Sequence, residues 1–272
     1  MDDAAAFARL IAALRPWQDQ LVVVGGWAHW LHRLHRTAHA LDYQPLRTLD
    51  ADIAFAPTRS LTGDIGAALR AAGFHPEITG DHVPPLTQYR LGEEAQGFFV
   101  EFLVPLQGSG HKRDGTPDAT IAKAGVTAQK LRYIELLLTQ PWTVTLNASV
   151  GASVTTPSSV LIANPVSFIA HKLLISGLRP PRKRAQDVLY IHDTLDLFGA
   201  ELDALSALWR ETIRDTLPSK LAAQVEASHR EQFTVVTDVV REAARIPQDR
   251  TLSPERIRLA IAHGLSAIFA TR

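Results

Sequence analysis

Residues 47–55 read "RTLDADIAF", and a single alanine separates Asp50 from Asp52. In an extended strand successive side chains alternate faces, so both carboxylates point one way and Ala51, Ile53 and Phe55 point the other, toward a core. Two acids side by side at the edge of a core repel each other and resist desolvation, and a divalent cation is the usual compensation. A third acid, Glu101, lies in "GFFVEFLVP", where every neighbour is apolar. It shares a strand face with Phe99 and Leu103, while Phe98, Val100 and Phe102 take the opposite face. A strand apolar on both faces belongs in the centre of a sheet, and a glutamate there is costly unless it is paired or bound to metal. Upstream, "LVVVGG" reads as a short buried strand that ends at Gly25 and Gly26, where a helical period begins. A helix N-terminus exposes N–H groups and the positive end of a dipole, and glycine lets a phosphate approach the backbone closely. Three carboxylates and a glycine turn are the equipment for metal-assisted phosphoryl or nucleotidyl transfer.

Each of these residues also has a purely structural reading. The double glycine could serve turn geometry alone, Asp50 could cap a loop, and Glu101 could pair with Arg90 or Lys112. His29, His32, His35 and His39 are spaced three or four apart, but no acid stands among them as in a zinc-protease helix. They read instead as part of a partly exposed helix lining a nucleotide pocket, with Trp27 and Trp30 taken as core. No Ser-His-Asp order, G-x-S-x-G elbow or P-loop is present.

The elements that must hold these residues follow from periodicity and punctuation. A helix over 3–15 stops before Pro16, and "WAHWLHRLHR" resumes the helical period after the glycines. A loop over roughly 37–48 leads into the aspartate strand. "TGDIGAALRAAGF" reads as a helix closed by Gly73. "TQYRLG" and "GFFVEFLVP" read as a hairpin or strand pair, and "QGSGHKRDGTPDAT" as a mobile surface loop. "WTVTLNASV" and "SVLIAN" read as further strands. From Pro165 the pattern is helical: "PVSFIAHKLLISGL", an interruption at "RPPRKR", a second helix in "AQDVLYIHDTLDLFG", and two or three more up to 270. The expected fold is α+β. A small mixed β-sheet with flanking helices spans 1–163, and a helical domain over 164–272 closes the active-site cleft.

With 46% hydrophobic and 21% charged residues, the 272-residue chain has ample material for a core. A formal net charge of zero supplies no global field toward nucleic acid or anionic membrane, which favours a small acceptor or a compact RNA feature over long duplex. The absence of cysteine excludes disulfides and thiolate metal sites and fits a reducing compartment. The acidic start "MDDAAAFARL" lacks the pattern of a signal peptide, and no apolar run approaches the roughly 20 residues that cross a bilayer. A soluble cytoplasmic protein is expected.

The order of strand, Gly-Gly, helix, Asp-x-Asp on a strand and an acid on a later strand resembles the polymerase-beta-type nucleotidyltransferase superfamily. Within it, the double glycine and the second half look most like the type IV abortive-infection toxin group. In that group a helix carries a lysine, and a basic segment leads into an Arg-x-x-Asp helix start. Lys172, Arg184 and Asp187 stand in those places here. Two departures stand out: Gly26 replaces the serine found at the phosphate turn of many members, and Gln186 in "RAQD" replaces a lysine. The resemblance spans roughly residues 20–198.

This resemblance implies that Asp50, Asp52 and Glu101 hold one or two Mg²⁺ ions, with Glu101 also taking the proton of the attacking hydroxyl. Gly25, Gly26, Lys172, Arg184 and Asp187 would bind the NTP, and a nucleoside monophosphate would pass to an acceptor. RNA, such as a tRNA 3′ end, or a protein hydroxyl is the implied acceptor, and an antitoxin the implied partner. Two other readings stand beside it. One is an antibiotic-modifying type of small-molecule nucleotidyltransferase, with the acidic loop "GEEAQG" beside the acceptor. The other is a non-catalytic nucleotide-binding module on the same fold.

Overall fold

The computed structural model describes residues 3–46, 48–56, 61–92, 97–147 and 157–270. The chain divides into two compact units, Met1–Leu34 with Arg47–Ala163, and His35–Leu46 with Asn164–Arg272.

In the first unit, α1 (Asp3–Leu14) buries Phe7, Leu10, Ile11 and Leu14, the residues at helical spacing, and passes at Pro16 into a 3-10 turn over Arg15–Trp17. The wholly buried β1 (Leu21–Val24) leads into α2 (Gly25–His32), and β2 (Asp50–Phe55) follows. Next comes α3 (Ile65–Ala71). Its N-cap Asp64 accepts a hydrogen bond from the Ala67 N–H (2.8 Å), and Gly73, at φ +84°, closes its C-terminal end. The remaining elements are β3 (Phe74–Thr79), β4 (Leu86–Leu91), β5 (Phe99–Pro105), β6 (Thr120–Lys123), β7 (Val126–Leu131), α4 (Ile134–Leu137), β8 (Trp142–Leu146) and β9 (Ser158–Ile162).

These strands form one mixed sheet in the order β3-β4-β5-β2-β1-β9-β8, with β7 pairing both β5 and β6. The pairs β2–β5, β1–β9 and β5–β7 are parallel and the others antiparallel. As the alternation required, Ala51, Ile53 and Phe55 are buried, together with Val100 and Phe102 of β5. The rings of Phe55 and Phe102 stack with centroids 5.5 Å apart, and Trp27 stacks on Phe7 at 4.1 Å, which makes Trp27 a core residue.

Four elements escape the sequence pattern. β3 carries Pro76, and of its residues only Phe74 is buried; it lies at a sheet edge, where a proline's missing N–H breaks no ladder on the open side. β6 and β7 follow an exposed turn that closes on itself, where Asp114 Oδ1 accepts from the Thr116 N–H (3.0 Å) and hydroxyl (2.6 Å). α4 is only four residues long. Of the stretches read from sequence, residues 93–96 of "GEEAQG", which include both its acids, and the end of "WTVTLNASV" (148–150) lie outside the described residues.

The second unit is helical: α5 (Pro165–Ile175), α6 (Pro181–Leu197), α7 (Leu202–Leu208) continuing as a π-turn over Trp209–Ile213, α8 (Ser219–Glu231), α9 (Asp238–Ala243) and α10 (Pro254–Phe269). Asn164 caps α5 by accepting from the Ser167 N–H (2.8 Å). Only the start of "RPPRKR" separates two helices: Arg179 and Pro180 lie in the break, and with Pro181 at the first helical position, Arg182, Lys183 and Arg184 form the first turn of α6. Among the described residues, no helix is long and apolar enough to cross a membrane.

Backbone and side-chain hydrogen bonds tie the segment His35–Leu46 to this unit. The His39 N–H donates to the Leu197 carbonyl (2.7 Å), the Tyr43 hydroxyl to Asp196 Oδ2 (2.8 Å) and the Gln44 N–H to Asp249 Oδ2 (2.8 Å). Arg250 lies over the Tyr43 ring at 3.3 Å and donates from Nη2 to both oxygens of Asp193 (2.7 and 2.6 Å). Burial, and then Asp193 and the hydrogen bond to Asp196, push the Tyr43 phenol well above its ordinary pKa, so it stays a donor. Asp193 is fully buried. Replacing Arg250 with Met removes the guanidinium that pairs with this charge and leaves the His192 ring (Nδ1 2.9 Å from Oδ1) beside it, and urea denaturation is expected to show a loss of about 3 kcal/mol.

Candidate active site

β2 and β5 place the three acids. In their parallel register Asp50 pairs with Phe99 and Asp52 with Glu101. Asp52 and Glu101 are therefore neighbours across the strands, and Asp50 sits two residues back on the same face. All three are half-buried, while their alternates are core. Thr48 Oγ1 donates to Asp50 Oδ1, and Gln88 Nε2 donates to Glu101 Oε1 (2.5 Å). The cations weighed as structural partners of Glu101 go elsewhere: Arg90 forms an ion pair with Glu77, and Lys112 Nζ donates to the Val83 carbonyl (3.3 Å).

The glycine turn meets this face. β1 pairs antiparallel with β2 so that Val24 stands opposite Asp52, and the chain turns into α2 immediately afterwards. Gly25 has φ +64°, and a Cβ there would stand 2.1 Å from Asp52 Oδ2. The carboxylate thus packs directly on the turn, where the start of a helix favours negative charge. Gly26 follows in the first turn of α2.

The donor set suits a hard divalent cation: three carboxylates on adjacent strands, partly open to solvent, with Thr48 and Gln88 engaging only one oxygen each of Asp50 and Glu101. Among the described residues, no three His, Cys, Asp or Glu side chains are already gathered for an ion, so ligation by all three takes side-chain rotation.

His29 and His32 do not sit on an exposed helix face. His29 and His32 are fully buried, because the eight-residue α2 is covered on most sides and also buries Trp27, Ala28 and Leu31. His32 Nε2 lies 2.8 Å from the Ala163 carbonyl, an acceptor only, so the proton is on Nε2. His35 Nδ1 bonds the Thr37 hydroxyl (2.8 Å), and among the described residues no three of these side chains form a group that could hold a metal ion.

In the helical unit, Lys172 and Asp187 are brought together as a buried pair (2.6 Å), with Arg179 Nε 3.5 Å from the other oxygen of Asp187. The lysine ammonium also lies 5.3 and 5.2 Å from the ring centroids of Phe168 and Tyr190. Arg184 is half-buried, and its Nε has no hydrogen-bond partner among the described residues. The buried His171, absent from the sequence-based site, is held neutral. Burial first, then Lys172 and Arg179, pull its pKa from 6.5 down to about 3.

A mixed sheet that sets carboxylates from neighbouring strands beside a glycine-initiated helix has the layout of an enzyme that moves nucleotidyl groups. Residues 2–214 match the family model described as nucleotidyltransferase, and the chain belongs to that family and is a nucleotidyltransferase. The match takes in both units and ends just beyond the π-turn; α8 to α10 lie outside it. No curated protein matches the chain.

Gly25→Ala is expected to lose about 1–3 kcal/mol of stability from the positive φ, and transferase activity with it, because the new methyl displaces the Asp52 carboxylate. Thermal melts and turnover check both. His171 generates a pH dependence whose sign is fixed: its folded pKa lies below its unfolded value, so the unfolded chain binds the extra proton. The contribution of a neutral His171 is complete above pH 6.5 and is lost progressively toward pH 3. The denaturation midpoint of His171→Gln is expected to fall less steeply than that of wild type over this range.

Proposed function

We propose that the protein transfers a nucleoside monophosphate from an NTP to an acceptor hydroxyl in a Mg²⁺-dependent reaction. The observation that carries this reading is the strand register that puts Asp52 beside Glu101, with Asp50 on the same face. These three side chains would hold the metal, which neutralises phosphate charge and activates the attacking oxygen when bound. The acceptor oxygen attacks the α-phosphorus, the new P–O bond forms as the bond to the bridging oxygen breaks, and pyrophosphate leaves. Glu101 is assigned to take the hydroxyl proton. The turn at Gly25 and Gly26 is assigned to the phosphates. A cation is disfavoured at a helix start unless an anion joins it, and three fill the first turn of α6. Arg184 is accordingly the helical unit's leading contact for the nucleotide's negative charge, with Lys172 and Asp187 behind it as a preformed pair.

For the acceptor, we infer RNA, such as a tRNA 3′ end, or a protein hydroxyl. The support is the sequence resemblance to the abortive-infection toxin group, and a toxin role with an antitoxin partner rests on the same likeness. The deciding experiment incubates wild type and Asp50→Ala/Asp52→Ala with each NTP labelled at the α-phosphorus, Mg²⁺, total RNA and cell protein. Label is expected on RNA or protein with wild type and to fall by at least about 10²-fold in the variant. Equal labelling by both would overturn the assignment of the carboxylates. Label on small molecules alone would replace the macromolecular acceptor with an antibiotic-type one. Binding of Mg²⁺ and NTP without transfer would leave a nucleotide-binding module.

A further inference from the structure

The sheet face that carries the carboxylates continues across two more strands. In the β4–β5 register Tyr89 stands opposite Val100 and Arg90 opposite Phe99, which makes Gln88 the next neighbour of Glu101. On the far side of β4, Gln88 pairs with Glu77 of β3. A cross-strand row therefore reads Asp52, Glu101, Gln88, Glu77, in which one amide stands among three acids.

Like charges on adjacent strands repel, so an acid at position 88 would press on Glu101 from the side away from Asp52. The amide does the opposite. Its Nε2 donates to Glu101 Oε1 (2.5 Å), and its Oε1 lies 3.4 Å from Arg90 Nη2. A guanidinium only donates and a carboxylate only accepts, so the amide has one orientation that satisfies both. Arg90 is fixed in turn by its ion pair with Glu77 and by the Phe99 ring, 4.9 Å beneath its guanidinium. Glu101 has three rotatable side-chain bonds and is half-buried; this chain of contacts holds one of its oxygens and leaves the other free of the amide.

We propose that Gln88 is a positioning residue for nucleotidyl transfer. Its amide sets Glu101 in the orientation in which that carboxylate works with Asp52, and Arg90 sets the amide. The inference rests on the assignment of Asp50, Asp52 and Glu101 to the metal made above.

The test uses the full-length protein and three variants: Gln88→Leu, which removes the donor at similar volume; Gln88→Glu, which keeps the size and places an acid against Glu101; and Asp52→Asn. Titration with Mn²⁺ alone, by calorimetry, reads the carboxylate site without turnover. Pyrophosphate release from NTP, with total RNA and cell protein as acceptors, gives kcat and KM separately. Gln88→Leu is expected to bind Mn²⁺ more weakly and to lose about 10–100-fold in kcat, with KM for NTP near the wild-type value. Gln88→Glu is expected to be more severely impaired in both, despite its closer size. Thermal melts show whether each variant is folded, and Gln88→Glu stands in if Gln88→Leu is not. Wild-type Mn²⁺ affinity and kcat in a folded Gln88 variant, with Asp52→Asn inactive, would overturn this proposal alone. Wild-type behaviour of Asp52→Asn would overturn the carboxylate assignment and this proposal with it.

Discussion

The parallel pairing of β2 with β5 is the constraint on which the site depends. Strands that neighbour each other in space are separated here by the whole excursion through α3, β3 and β4, and their register brings Asp52 and Glu101 side by side. What fixes which face each residue of that pair takes is hydrophobic. Ala51, Ile53 and Phe55 must face the core with Val100 and Phe102, and a slip of one residue would turn every one of them outward. Burial of one face thus puts the acids together on the other, and the observed register sets Asp52 beside Glu101 there.

The turn at Gly25 is a consequence of the same arrangement. β1 lies on the other side of β2, so the end of β1 comes opposite Asp52, and the chain can turn into α2 there only through a residue without a Cβ. The carboxylate and the start of the helix are then in contact. Turn geometry accounts for Gly25, and the same turn sets the start of α2 against the acidic face, where the proposed phosphate contacts would form.

Much of this was legible in sequence because it is local. Alternation of faces in "LDADIAF" and "GFFVEFLVP", the closing glycine at Gly73 and the proline start of α5 each depend on a few adjacent residues. What escaped depends on distant ones. β3 was hidden by Pro76, which an edge position tolerates, and β6 and β7 by the Gly- and Asp-rich turn before them. Burial of His29 and His32 follows from packing around a short helix, which spacing does not reveal. The run "RPPRKR" reads as an interruption until Pro181 is seen at the first position of α6. Gln88 lies in a strand that the pattern identified, yet its meeting with Glu101 depends on an antiparallel register set by other residues.

Asp50, Asp52 and Glu101 are proposed to hold a divalent ion together at the nucleotide. A crystal soaked with Mn²⁺ and a non-hydrolysable NTP tests this directly, through the anomalous scattering of manganese. The expected result is an anomalous peak ligated by these carboxylates and by phosphate oxygens of the nucleotide. Manganese and nucleotide bound elsewhere, with the three carboxylates left unligated, would contradict it.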